Sequence, residues 1–269
     1  MSLGSYFFIW LIIEATVFLT LPLIVMDRPR PNVNTESVII YFVYQAVARI
    51  LILCGVMQHI RDMPSLLLIS GIMVKLGVVP FHVWVLPVFK GCRLPVFFLL
   101  LVPVKLPVYV LRDFWVEDFL PVVLLRTVVG ILLAINQSSL LSLIAASRIA
   151  STGILLICLK MEMFNRYFAG YASSVGCILY GLNWREGLML SCGILSLVGL
   201  PFLPIFLPKL SLLLFRLSTA PYVAFLILLR FITSSIYYVK FLPLSAINLT
   251  LRGLTCVGGL VIISIISIV

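Results

Sequence analysis

Apolar stretches of about 20 residues recur from one end of this sequence to the other, and they constrain the fold more than any other feature. A helix of that length crosses the hydrocarbon core of a bilayer, which is about 30 Å thick. Lipid offers no hydrogen bonds to the backbone, so helices are the structure such stretches can adopt there. No hydrophilic block is long enough to fold separately. The sequence therefore predicts an all-α, polytopic membrane protein in which residues 1–269 form a single membrane domain.

Breaks rich in polar residues or proline divide the sequence into about ten transmembrane helices. Only 10% of the residues are charged and 63% are apolar, whereas soluble domains are about a quarter charged. The net charge of +10 comes from basic residues scattered singly, which argues against a nucleic-acid partner. The predicted spans lie near residues 5–26, 37–57, 65–89, 94–111, 120–136, 139–160, 167–183, 187–207, 221–242 and 251–269, and the eighth extends to about 217 if it continues past its prolines.

Two of these spans are interrupted in the same way, and we expect each to be a discontinuous helix, near 65–89 and 187–217. Both carry a glycine followed shortly by Pro-Phe, and they lie five spans apart. Such paired interruptions are typical of inverted-repeat transporters, although a kink without function is the alternative. We expect residues 1–111 (helices one to four) to be the remnant of a first repeat, 120–242 to be a second repeat and 251–269 a final helix. The residues expected at the helix breaks are Gly77, Pro80, Pro87, Gly199, Pro201, Pro204 and Pro208.

Several charged residues fall inside the predicted spans, where insertion of one lysine costs about 2.5–3.5 kcal/mol. Arg126 and Lys240 lie near span ends, so we expect their side chains to reach the membrane interface. Lysine suits proton transfer, because a nearby carboxylate strengthens its hold on a proton and burial weakens it. A static buried ion pair is the alternative for any one of these residues. The full set is Glu14, Arg49, Lys75, Lys105, Arg126, Arg148, Lys209, Arg230 and Lys240.

The sequence shows no motif for a cofactor or a metal. It has no phosphate-binding loop, no dinucleotide fingerprint, no cysteine cluster and no His/carboxylate triad. His82 follows the first interruption and is a candidate proton relay, although it could instead cap freed carbonyls. We therefore expect no cofactor-binding residue, no metal ligand and no redox chemistry in this chain.

Six motifs, in order, make the sequence similar to one family. It resembles NADH–ubiquinone oxidoreductase chain 2, the antiporter-like membrane subunits of respiratory complex I. The third motif is the most specific, and it includes Lys75, Gly77, Pro80 and His82. The motifs are "WLIIEATVFLTLPL", "TESVIIYFVYQA", "KLGVVPFHVWV", "KLP" at 105–107, "NQSSLLSLIAAS" and "LSLVGLPFLPIFLPKL".

The resemblance implies a role for each of the buried charges. Glu14 and Lys75 would form the charge pair of a first proton half-channel, and Lys105 would belong to a central hydrophilic axis. Lys209 would lie on the exit side. The resemblance also implies a multi-pass protein of the mitochondrial inner membrane, with NADH, flavin, iron–sulfur clusters and ubiquinone bound by partner subunits.

The sequence departs from the family pattern at several positions. Leu86 and Pro87 replace the usual Pro-Glu, and Leu141 and Ser142 replace the usual Arg-Lys. Arg148 stands where a small polar residue is expected, and we consider it a second candidate relay beside His82. Ile40 replaces a lysine. These losses put the connection of the first half-channel in question.

The sequence begins at the equivalent of the family's fifth helix, so we expect an N-terminally shortened member. Lipid or a lineage-specific subunit would then fill the vacated volume beside the other membrane-arm subunits.

Three functions follow from these observations. The first is a proton-translocating subunit of NADH:ubiquinone oxidoreductase, driven by quinone reduction in other subunits. The second is a structural spacer of the same complex with disabled pumping, and the third is a free-standing cation/proton antiporter. Retention of Glu14, Lys75, Lys105 and Lys209 favours the first function over the second, and the lack of a second deep carboxylate favours it over the third.

Overall fold

The apolar stretches form α-helices throughout the part of the chain that the structure describes. A computed structural model gives the conformation of residues 3–26, 31–59, 66–105, 120–159, 163–219 and 221–241. The predicted final helix at 251–269 and the end of the fourth span at 106–111 lie outside these residues. The helices are α1 (Leu3–Met26), α2 (Pro31–His59), α3 (Leu66–Leu76), α4 (Val85–Gly91), α5 (Leu94–Leu101), α6 (Leu120–Ile135), α7 (Leu140–Leu159), α8 (Phe164–Trp184), α9 (Gly187–Val198), α10 (Phe206–Thr219) and α11 (Pro221–Val239).

Most helices begin close to the boundaries expected from the sequence, but several, among them α3, α5 and α9, end well before the expected spans do. Within the described residues, three helical stretches are long and apolar enough to cross a membrane: Glu36–Met57, Leu140–Cys158 and Pro221–Val239. Other apolar helices, such as Leu66–Leu76 and Gly187–Val198, are shorter. The all-helical membrane class is therefore confirmed, whereas the count of ten spans stays a prediction.

The chain divides into two compact units, Met1–Leu156 and Ile157–Val269. The first unit contains α1 to α6 and most of α7, which is buried on nearly every side from Ser142 onwards. In the second unit, α9 packs on α8 and α11, and α10 packs on α11 and α8. The predicted division into repeats at 1–111 and 120–242 stays a prediction.

Glycines bring α2 and α3 into close contact in the first unit. Added to Gly55, a Cβ atom would collide with the backbone of Leu68. At Gly71, the same atom would lie 2.8 Å from the backbone nitrogen of Ile52 and 3.0 Å from the carbonyl oxygen of Ala48. Small residues allow such backbone approach in membrane helix pairs. The contacts fix the antiparallel register of α2 on α3.

In the second unit, glycines bring α8 and α9 into close contact in the same way. At Gly193, a Cβ atom would lie 2.9 Å from the backbone nitrogen of Ile178, and at Gly181 it would lie 2.6 Å from that of Leu190. Near the end of α9, the hydroxyl groups of Ser174 and Ser196 are 2.6 Å apart and share a hydrogen bond. Both units therefore contain a tightly packed antiparallel helix pair.

The second helix of each pair stops at a glycine with a left-handed backbone. α3 ends at Leu76, and Gly77 follows with a φ of 63°. The amide of Val78 then donates to the carbonyl of Met73, which closes a Schellman motif. α9 ends at Val198, and Gly199 follows with a φ of 92°. In both cases a residue without a Cβ atom is needed to turn the chain.

Another helix follows each of these stops, α4 in the first unit and α10 in the second. Pro80 precedes α4 in the first unit, whereas Pro201 and Pro204 precede α10 in the second. Pro87 and Pro208 are the third residues of α4 and α10. Proline is tolerated there because the first-turn amides have no acceptor within the helix. The two units thus share the order helix, left-handed glycine, Pro-Phe turn, and helix with proline in its first turn.

Candidate functional site

Lys75 lies in the last turn of α3, directly before the left-handed glycine. Its side chain is only 1% exposed, and it lies within the electrostatic fields of Glu14 and Arg49. The C-terminal end of a helix carries partial negative charge, which favours a cation at this position. The fold therefore buries an amine where its charged form is stabilised by the helix end.

Glu14 forms an ion pair with Arg49. The distance from Glu14 Oε1 to Arg49 Nη1 is 2.9 Å, with the carboxylate almost fully buried. Lys75, the expected partner, lies close enough to interact electrostatically with the carboxylate of Glu14. The sequence placed Arg49 inside a span but did not indicate that it would face α1. The charge site of the first unit thus contains two cations around one carboxylate.

Trp84 stabilises the interruption after α3. It is fully buried, and its indole Nε1 donates to the carbonyl oxygen of Val74 at 3.2 Å. Tyr41 of α2 packs edge-on against its ring at a centroid distance of 5.9 Å. The hydroxyl of Tyr41 is in turn 2.8 Å from that of Thr20 on α1. These contacts connect α1, α2 and the turn that follows α3.

Of the two candidate relays, Arg148 packs against aromatic side chains at this turn, and His82 lies within the turn. The guanidinium carbon of Arg148 is 5.5 Å from the centroid of the Trp84 ring and 5.2 Å from that of Phe89. These are cation–π distances, and the side chain of Arg148 is buried. His82 is half-buried, and its Nδ1 has no hydrogen-bond partner among the described residues.

Arg126 does not reach the membrane interface, so that expectation was wrong. Its side chain is fully buried, and Nε donates to the carbonyl oxygen of Ile149 at 2.5 Å. Its Nη2 lies 3.4 Å from the carbonyl oxygen of Leu76, the last residue of α3. A carbonyl at the end of an interrupted helix needs a donor. The hydrogen bonds to Ile149 and Leu76 therefore hold the guanidinium group of Arg126 inside the first unit.

Lys105 is also fully buried, in a short 3₁₀ turn after α5. Its ammonium donates to Ser151 Oγ on α7 at 2.8 Å. The Ser151 hydroxyl donates in turn to the carbonyl oxygen of Arg148 at 3.0 Å. Lys105 is therefore connected through one hydroxyl to the backbone beside Arg148.

Lys209 occupies the equivalent helix end in the second unit. It lies on α10, and its ammonium donates to the carbonyl oxygens of Leu197 at 2.6 Å and Val198 at 2.9 Å. These are the last two residues of α9. The ammonium also lies 4.9 Å from the centroid of the Phe231 ring. A lysine thus supplies donors to the open end of α9, as Arg126 does for α3.

The first unit brings together most of the predicted site residues, and the second holds Lys209. Lysine can gain and lose a proton, whereas arginine stays charged. Among the described residues, no group of three or more His, Cys, Asp or Glu side chains could hold a metal ion. The first unit therefore contains the buried amines of Lys75 and Lys105 and the buried guanidinium groups of Arg126 and Arg148. The roles of Arg49, Arg126, Trp84 and Ser151 could not be predicted from the sequence, since each depends on contacts between helices.

The family described as NADH:quinone oxidoreductase/Mrp antiporter, transmembrane part, matches residues 58–183. This range contains Lys75, Lys105 and Arg148. Among curated proteins, the chain is similar to NADH-ubiquinone oxidoreductase chain 2 of Albinaria caerulea. The two are 27% identical over 229 residues, which cover 80% of this chain and 74% of that protein.

Solved structures share the fold. A chain of respiratory complex I from Thermus thermophilus aligns with a TM-score of 0.74 and 24% identity, covering 88% of this chain and 65% of that one. A chain of the Mrp complex from Dietzia sp. aligns with a TM-score of 0.78 and 14% identity, covering 86% and 55%. This chain therefore spans less than two thirds of either structure.

Proposed function

We propose that the chain is a member of the antiporter-like family that includes NADH-ubiquinone oxidoreductase chain 2, and that it translocates protons in the membrane arm of NADH:ubiquinone oxidoreductase. One observation carries the proposal. In each unit, a buried lysine lies at the open end of a helix that stops at a left-handed glycine: Lys75 on α3, and Lys209 against α9. Burial of an amine in hydrocarbon is unfavourable unless partners stabilise it, and the residues that are buried in this way usually belong to ion or proton pathways.

Lys75 would carry the proton in the first unit. Its ammonium is favoured by the end of α3 and by the charge of Glu14, so movement of the carboxylate changes the hold on the proton. A proton released to internal water leaves a neutral amine, and a proton taken from the other side restores the ammonium. Lys105 would be the next carrier, and Lys209 would act in the second unit.

Arg148 and His82 would assist in different ways. Arginine does not lose its proton in proteins, so Arg148 would act as a fixed charge packed on Trp84. The Nδ1 of His82 has no hydrogen-bond partner among the described residues, and an imidazole can both accept and donate a proton. His82 is therefore the better relay candidate of the two.

The interruptions would be those of discontinuous membrane helices. We infer that α3 with α4, and α9 with α10, are each two halves of one transmembrane helix, and that the chain crosses the membrane about ten times. The shared order of glycine, Pro-Phe and first-turn proline supports an inverted repeat. The prolines free carbonyls that can face water inside the protein.

Redox chemistry would take place in partner subunits. NADH, flavin, iron–sulfur clusters and ubiquinone would bind there, and the chain would lie in the mitochondrial inner membrane beside other membrane-arm subunits. The outward faces of α1 and α2 expose large apolar side chains, among them Phe18, Met26 and Ile50. Lipid or a small lineage-specific subunit would cover them.

A structural spacer is the second candidate, because the replacements at Leu86, Pro87, Leu141 and Ser142 remove charges that the family pattern contains. The Lys75→Met variant separates the two functions. A pump with this change should assemble and oxidise NADH when uncoupled but lose proton output per NADH, whereas a spacer should keep its output. Lys90→Met, at an exposed lysine of α4, is the matched control.

Assignment to the complex is tested first. Native membranes are solubilised gently, the complexes are separated on a native gel, and the gel is stained for NADH dehydrogenase activity. We expect peptides of this chain in the active band. If the chain migrates as a small separate species, the assignment fails and the free antiporter becomes the function to test.

A further inference from the structure

Two unmet polar groups lie near the ion pair of Glu14 and Arg49. The second carboxylate oxygen of Glu14, Oε2, is buried and has no hydrogen-bond partner in the described part of the chain. Gln45 is fully buried on α2, and neither its amide nitrogen nor its amide oxygen has a partner there. An unmet buried amide costs stability, so Gln45 has hydrogen-bonding capacity that a rearranged neighbour could satisfy.

The register of α2 on α3 places Gln45 beside Lys75. Gly55 meets Leu68, and Gly71 meets Ala48, so the two helices run antiparallel with known pairing. Lys75 follows Gly71 by four residues and lies on the same face of α3. One turn further along the pair, Lys75 therefore comes level with the turn of α2 that carries Gln45 and Arg49.

This arrangement offers Glu14 two alternative positions. In the first, which the structure shows, Oε1 binds Arg49 at 2.9 Å. In the second, the carboxylate would turn towards Lys75. The Gln45 nitrogen would then donate to the carboxylate, and the Gln45 oxygen would accept from the ammonium. The second position satisfies both unmet groups.

We propose that Arg49 and the Lys75–Gln45 pair compete for the Glu14 carboxylate. The proposal rests on the proton-translocating function above and names the residue that controls its first site. Arg49 keeps its charge throughout, so it can hold the carboxylate while Lys75 is neutral. When Glu14 turns to Lys75, the neutral amine takes up a proton, and the ammonium that forms has the carboxylate as its counter-ion. Arg49 is thus a positioning residue, and it carries no proton itself.

The test compares variants of Arg49 in the assembled complex, reconstituted in sealed vesicles. Proton output per NADH oxidised is measured together with the uncoupled rate of NADH oxidation. We expect Arg49→Gln to lower proton output per NADH about as far as Lys75→Met does. Arg49→Lys should restore most of the output, because it replaces the cation.

Two further variants keep the proposal open to refutation if Arg49→Gln fails to assemble. Gln45→Leu keeps the volume but removes the amide, and we expect it to lower the output as well. In a Glu14→Gln background, Gln45→Leu should have no additional effect, because the carboxylate to which the amide would donate is gone.

The outcomes distinguish this proposal from the proposed function. If Lys75→Met lowers the output but the Arg49 and Gln45 variants behave as the wild type, the competition is refuted and translocation stands. If Lys75→Met leaves the output unchanged, the proposed function itself fails.

Discussion

The ammonium of Lys105 donates a hydrogen bond to Ser151 Oγ, and Ser151→Ala removes that acceptor. A hydrogen bond to a charged group contributes about 1.5–3 kcal/mol, so we expect lower thermal stability and lower proton output per NADH. Both are measured on the purified complex.

Thr152→Val is the matched control for this change. The Thr152 hydroxyl is buried beside Ser151 on α7 and donates to the same carbonyl, that of Arg148. The control removes a hydroxyl of similar burial without removing the Lys105 bond. Equal behaviour of the two variants would contradict a specific role for Ser151.

Two substitutions at Lys209 distinguish a structural role, in which the side chain donates to the end of α9, from a role in carrying a proton. Lys209→Met removes the donors to Leu197 and Val198, so we expect both assembly and proton output to fall. Lys209→Arg keeps donors and charge but does not release a proton. It should therefore assemble normally, as judged by the native gel, and still lose output. Normal output from Lys209→Arg would show that the residue is structural.

At the scale of elements, the left-handed glycines decide where the helices stop. Gly199→Ala would force a Cβ atom into a backbone with a φ of 92°, and to within 3.0 Å of Lys209 Cδ. The left-handed conformation alone costs a residue with a Cβ about 1–2 kcal/mol. We expect a lower inactivation temperature of the complex than with Gly176→Ala, which changes a glycine inside the regular helix α8. Equal temperatures would contradict the need for glycine.

The positions of these stops could be predicted from the sequence, because glycine and proline act locally. α3 and α9 each end one residue before the glycine that was predicted to interrupt them. Pro87 and Pro208 lie within the helices that follow the turns, where sequence alone did not distinguish a break from a first turn. That distinction depends on where the next helix begins, which is set by packing.

At the scale of the whole molecule, a double variant tests whether Lys75 and Lys209 act in series. If Lys75 and Lys209 act in series, blocking either blocks the route. We then expect the Lys75→Met/Lys209→Met double variant to lose no more proton output per NADH than the more severe single variant. An additive loss would instead indicate two independent routes.

The sequence by itself determined the membrane class, the helices, the two glycine stops and the burial of Glu14, Lys75, Lys105 and Lys209. These follow from hydrophobicity, backbone conformation and the unfavourable transfer of charge to lipid, which are properties of single residues and short segments. The tertiary structure alone decided which partner each charge meets. Glu14 faces Arg49 and Lys105 meets Ser151 because the register of packed helices, fixed by contacts such as Gly71 against Ala48, brings distant residues together.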